Sequence, residues 1–460
     1  MSASSSASPH VEILQSVNAL RQNSGVAAAV VVLVRDDAVT CDALGVVNHA
    51  SGEPATLEHF VRIGSITKAF TGLALLAAAE RDRIDLNAPV RSWLDPPPFD
   101  NPWSADRPVT LAMLMEHTAG LGELSKTEWD SATPMPLAEA LALDPGSRKL
   151  RWKPGTFSVY SNAGSGVAAY AVEKKLDVDF EAWVDQTVFT PLGMDSATFH
   201  PVEPLLSGYD RDGKTPIVYW HQLYRPFGAI NVQPCEMARF LRMLIGQGEL
   251  DRRQIFRAST ISRMETPRTS FAARRGLRHG YGFGNYSTIV DGRVWHGHGG
   301  DADGYLSHYA YNRDCRCGYF TAITAFQHTT LRKIRRQIED YLDPPIPTAA
   351  VPRENASIDP SWFGRYIQSA RRFPGSLESL TLEPGNGEIW MRSGQESGRL
   401  MVSAPHLLMR PGDPIATIAI GEEEGKVYLQ GPFGDFEKDL EDSVSDPPGE
   451  TRNPTDNDDP

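Results

Sequence analysis

Apolar residues first recur at helical spacing from Val11 to Arg21. Two apolar runs follow, Val26–Arg35 and Ala38–Val47, joined by Asp36-Asp37, and they predict a pair of strands. Gly64-Ser65 then opens a helical run from Ile66 to Arg81 in which Ile66, Ala69, Phe70, Leu73, Leu76 and Ala77 cover nearly the whole circumference. A helix of that kind is buried rather than amphipathic. Ser65, Thr67 and Lys68 in its first turn are therefore anomalous, because polar groups in such a place need partners or a cleft. From about 90 to 275 the chain reads as helices, among them Leu111–Met115, Ala163–Lys174 and Pro234–Gly246, between proline-punctuated loops.

Next comes an antiparallel meander. Tyr286–Val290 and Arg293–His296 flank Asp291-Gly292, a dipeptide suited to a type I′ turn. Tyr305–Tyr311 and Tyr319–Phe326 form a second pair, and a helix with Leu331, Ile334, Ile338 and Tyr341 on one stripe closes the unit. The expected fold class is α+β: an antiparallel sheet built from both ends of the region, flanked by helices, with an inserted all-helical lobe. Pro344, Pro345, Pro347, Pro352 and Pro360 mark a linker. Seven short strand-like runs between Gly364 and Leu429 predict a small C-terminal antiparallel β-barrel. The expected boundaries are 1–345 for the first domain, 346–357 for the linker, 358–438 for the barrel and 439–460 for an acidic, disordered tail.

Composition narrows the function. The net charge of −13 argues against nucleic acid as a partner. From Asp435 to Pro460 there are ten acids and two bases, read as a solvated run, so the remainder is only mildly acidic. The longest aliphatic stretch, Val26 to Val34, falls short of the ~20 residues that span a bilayer and lies too far in for a signal-peptide core. The expectation is a cytoplasmic protein with no membrane partner. Cys41, Cys235, Cys315 and Cys317 are too few for a disulfide framework and read as free thiols.

Three stretches carry candidate chemistry. In Ser65-Ile66-Thr67-Lys68, residues three apart share a helix face, so hydroxyl and ammonium are neighbours and the lysine can relay the serine proton. In Tyr160-Ser161-Asn162, a phenol serves as a base only if cations depress its pKa of ~10, and Lys68 would be such a cation. Asn162 offers a donor and an acceptor. In His298-Gly299-Gly300-Asp301, the glycines allow close approach and free amides for an oxyanion. Read singly, each has a bland alternative: chance spacing, a packed loop tyrosine, a turn. Gly208 to Thr215 matches the phosphate-loop pattern, but nearby prolines and two aspartates speak against it. His296 and His298 with Asp301 and Asp303 are a weak metal pattern, and no metal or other cofactor is expected. The chain contains no G-x-S-x-G.

Together and in this order, the three motifs resemble the serine hydrolases related to class C β-lactamases, D-alanyl-D-alanine carboxypeptidases and family VIII esterases. The resemblance covers about residues 11–342 and extends to Arg62–Phe70, Leu114–Leu121, Pro191–Met194 and His298–Tyr305. It implies a β-lactamase/transpeptidase-like fold and a covalent acyl-enzyme. Ser65 would be the nucleophile and Lys68 and Tyr160 the proton carriers. Asn162 would steady Lys68 and the acyl side chain, and the amides of Ser65 and Asp301 would hold the oxyanion. Where the β-lactamases have Lys-Thr-Gly, this chain has His298-Gly299-Gly300. No Lys or Arg occurs between Val294 and Asn312, so a substrate carboxylate would find little attraction there. The expected partner is a small-molecule or short-peptide acyl substrate, a neutral ester or an amide with a free amine, cleaved by an esterase or D-peptidase rather than a true β-lactamase. Acyl transfer to another acceptor and a catalytically silent binding module are the rivals.

Overall fold

The computed structural model describes residues 9–342, 357–370, 377–385 and 388–439. The expected linker lies outside these residues except for Ser357, and the expected tail except for Asp439. The elements used below are α1 (Pro9–Asn23), β1 (Ala28–Arg35), β2 (Ala38–Gly45), α2 (Thr67–Glu80), α3 (Leu111–Met115), α4 (Asn162–Leu176), α5 (Glu236–Ile245), β3 (Tyr286–Val290), β4 (Arg293–Ala302), β5 (Tyr305–Asn312), β6 (Cys317–Ile323) and α6 (His328–Leu342).

The strands form one antiparallel sheet in the order β2-β1-β6-β5-β4-β3. The two ends of the region meet in its middle, where Ala29 pairs with Ile323 and Arg35 with Cys317. β1 reads as a continuous apolar run because both its faces are covered. Ala28, Val30, Val32 and Val34 join the core shared with the helical lobe, and Ala29, Val31 and Leu33 join a second core with Ile13 and Val17 of α1 and Ile334 and Ile338 of α6. The β3–β4 turn has φ 49° at Asp291 and 77° at Gly292, as its sequence requires. β4 is longer than expected: it runs through the His298–Asp301 motif rather than ending before it, because each of these residues pairs with β5.

Beyond residue 357, eight strands between Gly364 and Lys438 close into an antiparallel barrel around Tyr366, Leu382, Leu408, Ile420, Leu429 and Phe436. The eighth, Gly434–Lys438, corrects the reading of Asp435 as the start of a solvated run. Phe436 turns into the barrel, and the alternate residue Asp435 is buried on the opposite side against the first domain. Charge counting is blind to that period. The free-thiol expectation is corrected as well. Cys315 and Cys317 are joined by a disulfide across the turn that brings Asn312 opposite Cys317, while Cys41 and Cys235 remain free.

Candidate functional site

From His59 through Ala78 every residue is buried except Ser65. Ser65 sits in a 3-10 turn, Gly64–Ile66, which feeds directly into α2. The polar residues that looked anomalous in this helix all have partners. Thr67 Oγ1 accepts from Ile230 N at 3.2 Å, and Thr71 Oγ1 donates to Pro226 O at 2.7 Å. These bonds pin segment 226–230 along the helix and bring the Phe227 carbonyl to the lysine.

Lys68 has no solvent-exposed surface. Its Nζ donates to Ser65 Oγ at 3.2 Å, Asn162 Oδ1 at 2.7 Å and Phe227 O at 2.9 Å. Three oxygens match the three hydrogens of an ammonium. Asn162 is the first residue of α4, and its amide is oriented at both ends, since Nδ2 donates to Glu123 Oε1 at 3.2 Å.

Tyr160 lies just before α4, and Lys68 Nζ is 4.9 Å from its ring centroid. The Tyr160 ring packs on His117 at 4.2 Å between centroids, and His117 Nδ1 accepts the Ser161 N–H at 3.2 Å. Tyr281 completes the aromatic cluster at 5.8 Å from Tyr160, and its hydroxyl is 2.7 Å from His298 Nε2. His298 Nδ1 is 2.5 Å from the Gly299 carbonyl, an acceptor, which places a proton on Nδ1. His117 and Tyr281 were not singled out from the sequence. His117 lies within the Leu114–Leu121 stretch and has φ 58°, an uncommon conformation outside glycine, but Tyr281 carries no local signal.

The two glycine positions have different duties. A Cβ on Gly300 would overlap the Ile63 carbonyl oxygen and Ser307 Oγ, whereas one on Gly299 would meet His308 Cδ2 at 3.6 Å and Ser307 O at 3.9 Å, both ordinary contacts. Gly64, at φ 52°, makes the reciprocal approach: a Cβ there would stand 2.7 Å from the Asp301 nitrogen. The Ser65 turn and the Asp301 backbone thus lie against each other, which is the juxtaposition two oxyanion donors require.

These groups open on one cleft of about 560 Å³ lined by Ser65, Tyr160, Asn162, His298, Gly299 and Asp301. Its outer wall comes from Trp129, Asp130, Trp220, Gln222 and Phe227, with Asp303 and Phe326 on the sheet side. A short ribbon, Asp130–Ser131 paired with His221–Gln222, presents the lobe residues. It is anchored by the buried group Glu128, Arg148 and Tyr224. Among the described lining residues there are three aspartates and no lysine or arginine. Burial and Asp130 push the Asp303 carboxyl up, partly opposed by Arg62. Arg62 itself is buried beneath the wall, 4.5 Å from the Tyr219 ring and 4.2 Å from that of Trp220.

The two other motifs resolve differently. In Gly208–Thr215 the Asp212 carboxylate accepts from Lys214 N at 2.8 Å and Thr215 N at 2.9 Å, so the amides a phosphate would need are occupied. Those bonds hold Asp212 down to about 2. Among the described residues no group of three or more His, Cys, Asp or Glu side chains is arranged to hold a metal ion.

The architecture is a β-lactamase/transpeptidase-like fold with a barrel appended. It is similar to the octameric penicillin-binding protein homologue from Pyrococcus abyssi, with a TM-score of 0.60 and 19% identity over 93% of this chain and all of that one, a likeness in fold alone. The chain belongs to the β-lactamase family: residues 14–340 match the family model described as Beta-lactamase. It is 25% identical over 327 residues to beta-lactamase-like protein 4 of Dictyostelium discoideum, covering 64% of this chain and 56% of that protein. It is 30% identical over 206 residues to esterase EstB of Burkholderia gladioli, covering 40% of this chain and 50% of the esterase. The chain thus spans about half the length of these curated relatives.

Proposed function

We propose that this protein is a serine hydrolase that forms a covalent acyl-enzyme on esters or amides without a strong requirement for a substrate carboxylate. The observation that carries the reading is Ser65, the one uncovered residue in a buried stretch, hydrogen-bonded to a fully buried lysine at the floor of a cleft.

In the proposed reaction, Ser65 Oγ attacks the acyl carbonyl, and the oxyanion is received by the amides of Ser65 and Asp301. The serine proton passes through Lys68 and Tyr160 to the departing alcohol or amine; a water then attacks the ester on Ser65, its oxygen joining the acyl carbon as the bond to Ser65 Oγ breaks, and the same relay carries a proton from that water to Ser65 Oγ. Lys68 Nζ lies 3.2 Å from Ser65 Oγ and 4.9 Å from the centre of the Tyr160 ring, so it stands between the serine and the phenol as the relay needs. Asn162 keeps the ammonium aimed at Ser65. Asp130, Asp301 and Asp303 at the cleft disfavour anionic substrates and favour neutral or amine-bearing ones.

The test is a fluorophosphonate probe with peptide mapping, together with kcat/KM on p-nitrophenyl esters, D-amino acid anilides and nitrocefin. Labelling of Ser65 that disappears in Ser65→Ala, with turnover best on a neutral ester or an amine-bearing anilide, supports the reading. An unlabelled Ser65 and no turnover would favour a silent binding module. Preference for nitrocefin would overturn the charge argument.

A further inference from the structure

The segment that delivers Tyr160 to the cleft is held from behind by the barrel. Trp152 Nε1 donates to Ser369 O at 3.1 Å, Gln430 Nε2 to Thr156 O at 2.7 Å, and Ser158 N–H to Asp435 Oδ2 at 3.1 Å. Lys153 pairs with Glu424 at 2.7 Å. Phe157 and Val159 pack with Phe271, Ala370 and Tyr428 in a cluster drawn from both domains. From Val159 onward the backbone passes to the first domain, where Val159 N donates to His117 O at 2.9 Å and Ser161 N to His117 Nδ1. Ser158 is therefore the last residue before the phenol whose backbone bonds to the barrel.

Asp435 is an expensive choice for a stability contact. It is 6% exposed, and among the described residues the group that favours its charged form is the Ser158 amide, with no cation beside it to offset the burial. A buried carboxyl with so little support destabilises a fold relative to an apolar residue of the same size. It also stands in the wall of a cavity of about 390 Å³ between the domains, together with Glu116, His279, Tyr286 and Tyr281, the phenol bonded to His298.

We propose that Asp435 is a positioning residue for Tyr160: by accepting the Ser158 N–H it fixes the backbone two residues before the phenol, so the barrel sets the geometry of a proton carrier from outside the cleft. The proposal rests on the reading of Tyr160 as part of the proton relay. The relay tolerates little displacement, since a shift on the order of 1 Å at a reacting group costs about 10²-fold in rate.

The experiment uses the full chain with Asp435→Ala, Asp435→Leu and Asp435→Asn. Alanine and leucine remove the acceptor, and leucine also fills the space; asparagine keeps an acceptor oxygen for Ser158. In the first two, kcat on the best ester is expected to fall about 10- to 100-fold with KM within about twofold, and asparagine is expected to recover most of the loss. Hydrogen exchange read on a peptide spanning 156–162 is expected to accelerate in Asp435→Ala and Asp435→Leu and to stay near wild type in Asp435→Asn. Wild-type kcat in Asp435→Ala, equal losses in all three variants, or unchanged exchange would each overturn the proposal. Failure of all three to fold would overturn it too, marking Asp435 as a core group of the barrel. Absence of Ser65-dependent turnover in the wild type would defeat the hydrolase reading instead, and the exchange data would still report whether Asp435 holds the segment.

Discussion

Gly300 lies so close to Ile63 that a single added carbon would overlap the Ile63 carbonyl oxygen, while Ser307 Oγ donates to that same oxygen at 2.9 Å. The contact joins the sheet to the turn that holds Ser65. Gly300→Ala is therefore expected to push β4 off the Ser65 turn, reducing kcat by about 10²-fold or more and lowering Tm. Gly299→Ala meets only ordinary contacts and is expected to fold with nearly the wild-type Tm. Parallel melting curves and ester kinetics on the two variants check the contrast; equal behaviour would refute it.

Lys68→Ala and Tyr160→Phe are each expected to lower kcat/KM by about 10²-fold or more, the scale of lost general acid–base catalysis. Lys68→Ala also removes the donor shared by Ser65, Asn162 and Phe227, so its Tm is expected to drop, whereas Tyr160→Phe keeps the ring on His117 and is expected to melt like wild type. Wild-type turnover in either variant would dismiss the relay.

Much of this was legible in the chain itself. The all-round apolar run of α2 marked a buried helix, and Ser65 and Lys68 at its start stood out because hydrocarbon surrounded them. Asp291-Gly292 announced its turn through the φ values it tolerates. The outer wall was not legible. Trp129 and Trp220 come from irregular segments with no period, and only the folded ribbon sets them opposite Asp303. The eighth barrel strand was hidden in the same way, because Asp435, Glu437 and Asp439 looked like solvated charge and the inward Phe436 was one residue among them.

Asp435 also predicts how stability responds to pH. Burial raises its carboxyl to about 7, against about 4 in an unfolded chain. Between those values the unfolded state releases the proton and the folded state keeps it, so stability is lost as pH rises from about 4 to about 7. Asn does not titrate, so Asp435→Asn is expected to gain Tm over wild type steadily from pH 4.5 to 7.5. Burial lowers His279 to about 4 and His296 to about 3, so the unfolded chain takes up their protons first and both proteins are expected to lose Tm as pH falls below about 6.5. A Tm difference that stays flat across the range would show the carboxyl is not buried as described.

The acidic cleft predicts a shift in selectivity. Asp303→Asn removes a carboxylate from the wall while keeping its shape, so the ratio of nitrocefin to ester turnover is expected to rise several-fold, more at low salt than at high salt. An unchanged ratio at both ionic strengths would mean that Asp303 plays no part in choosing substrates.

The pairing of β1 with β6 has a consequence for biosynthesis. Ala29 cannot meet Ile323 until nearly three hundred further residues have left the ribosome, a delay on the order of 15–60 s at about 5–20 residues per second. Throughout that interval the sticky Ala28–Val34 stretch has neither neighbour strand β6 nor helix α6 to cover it. A nascent chain of this topology is a natural client for chaperones that shelter hydrophobic polypeptide during translation.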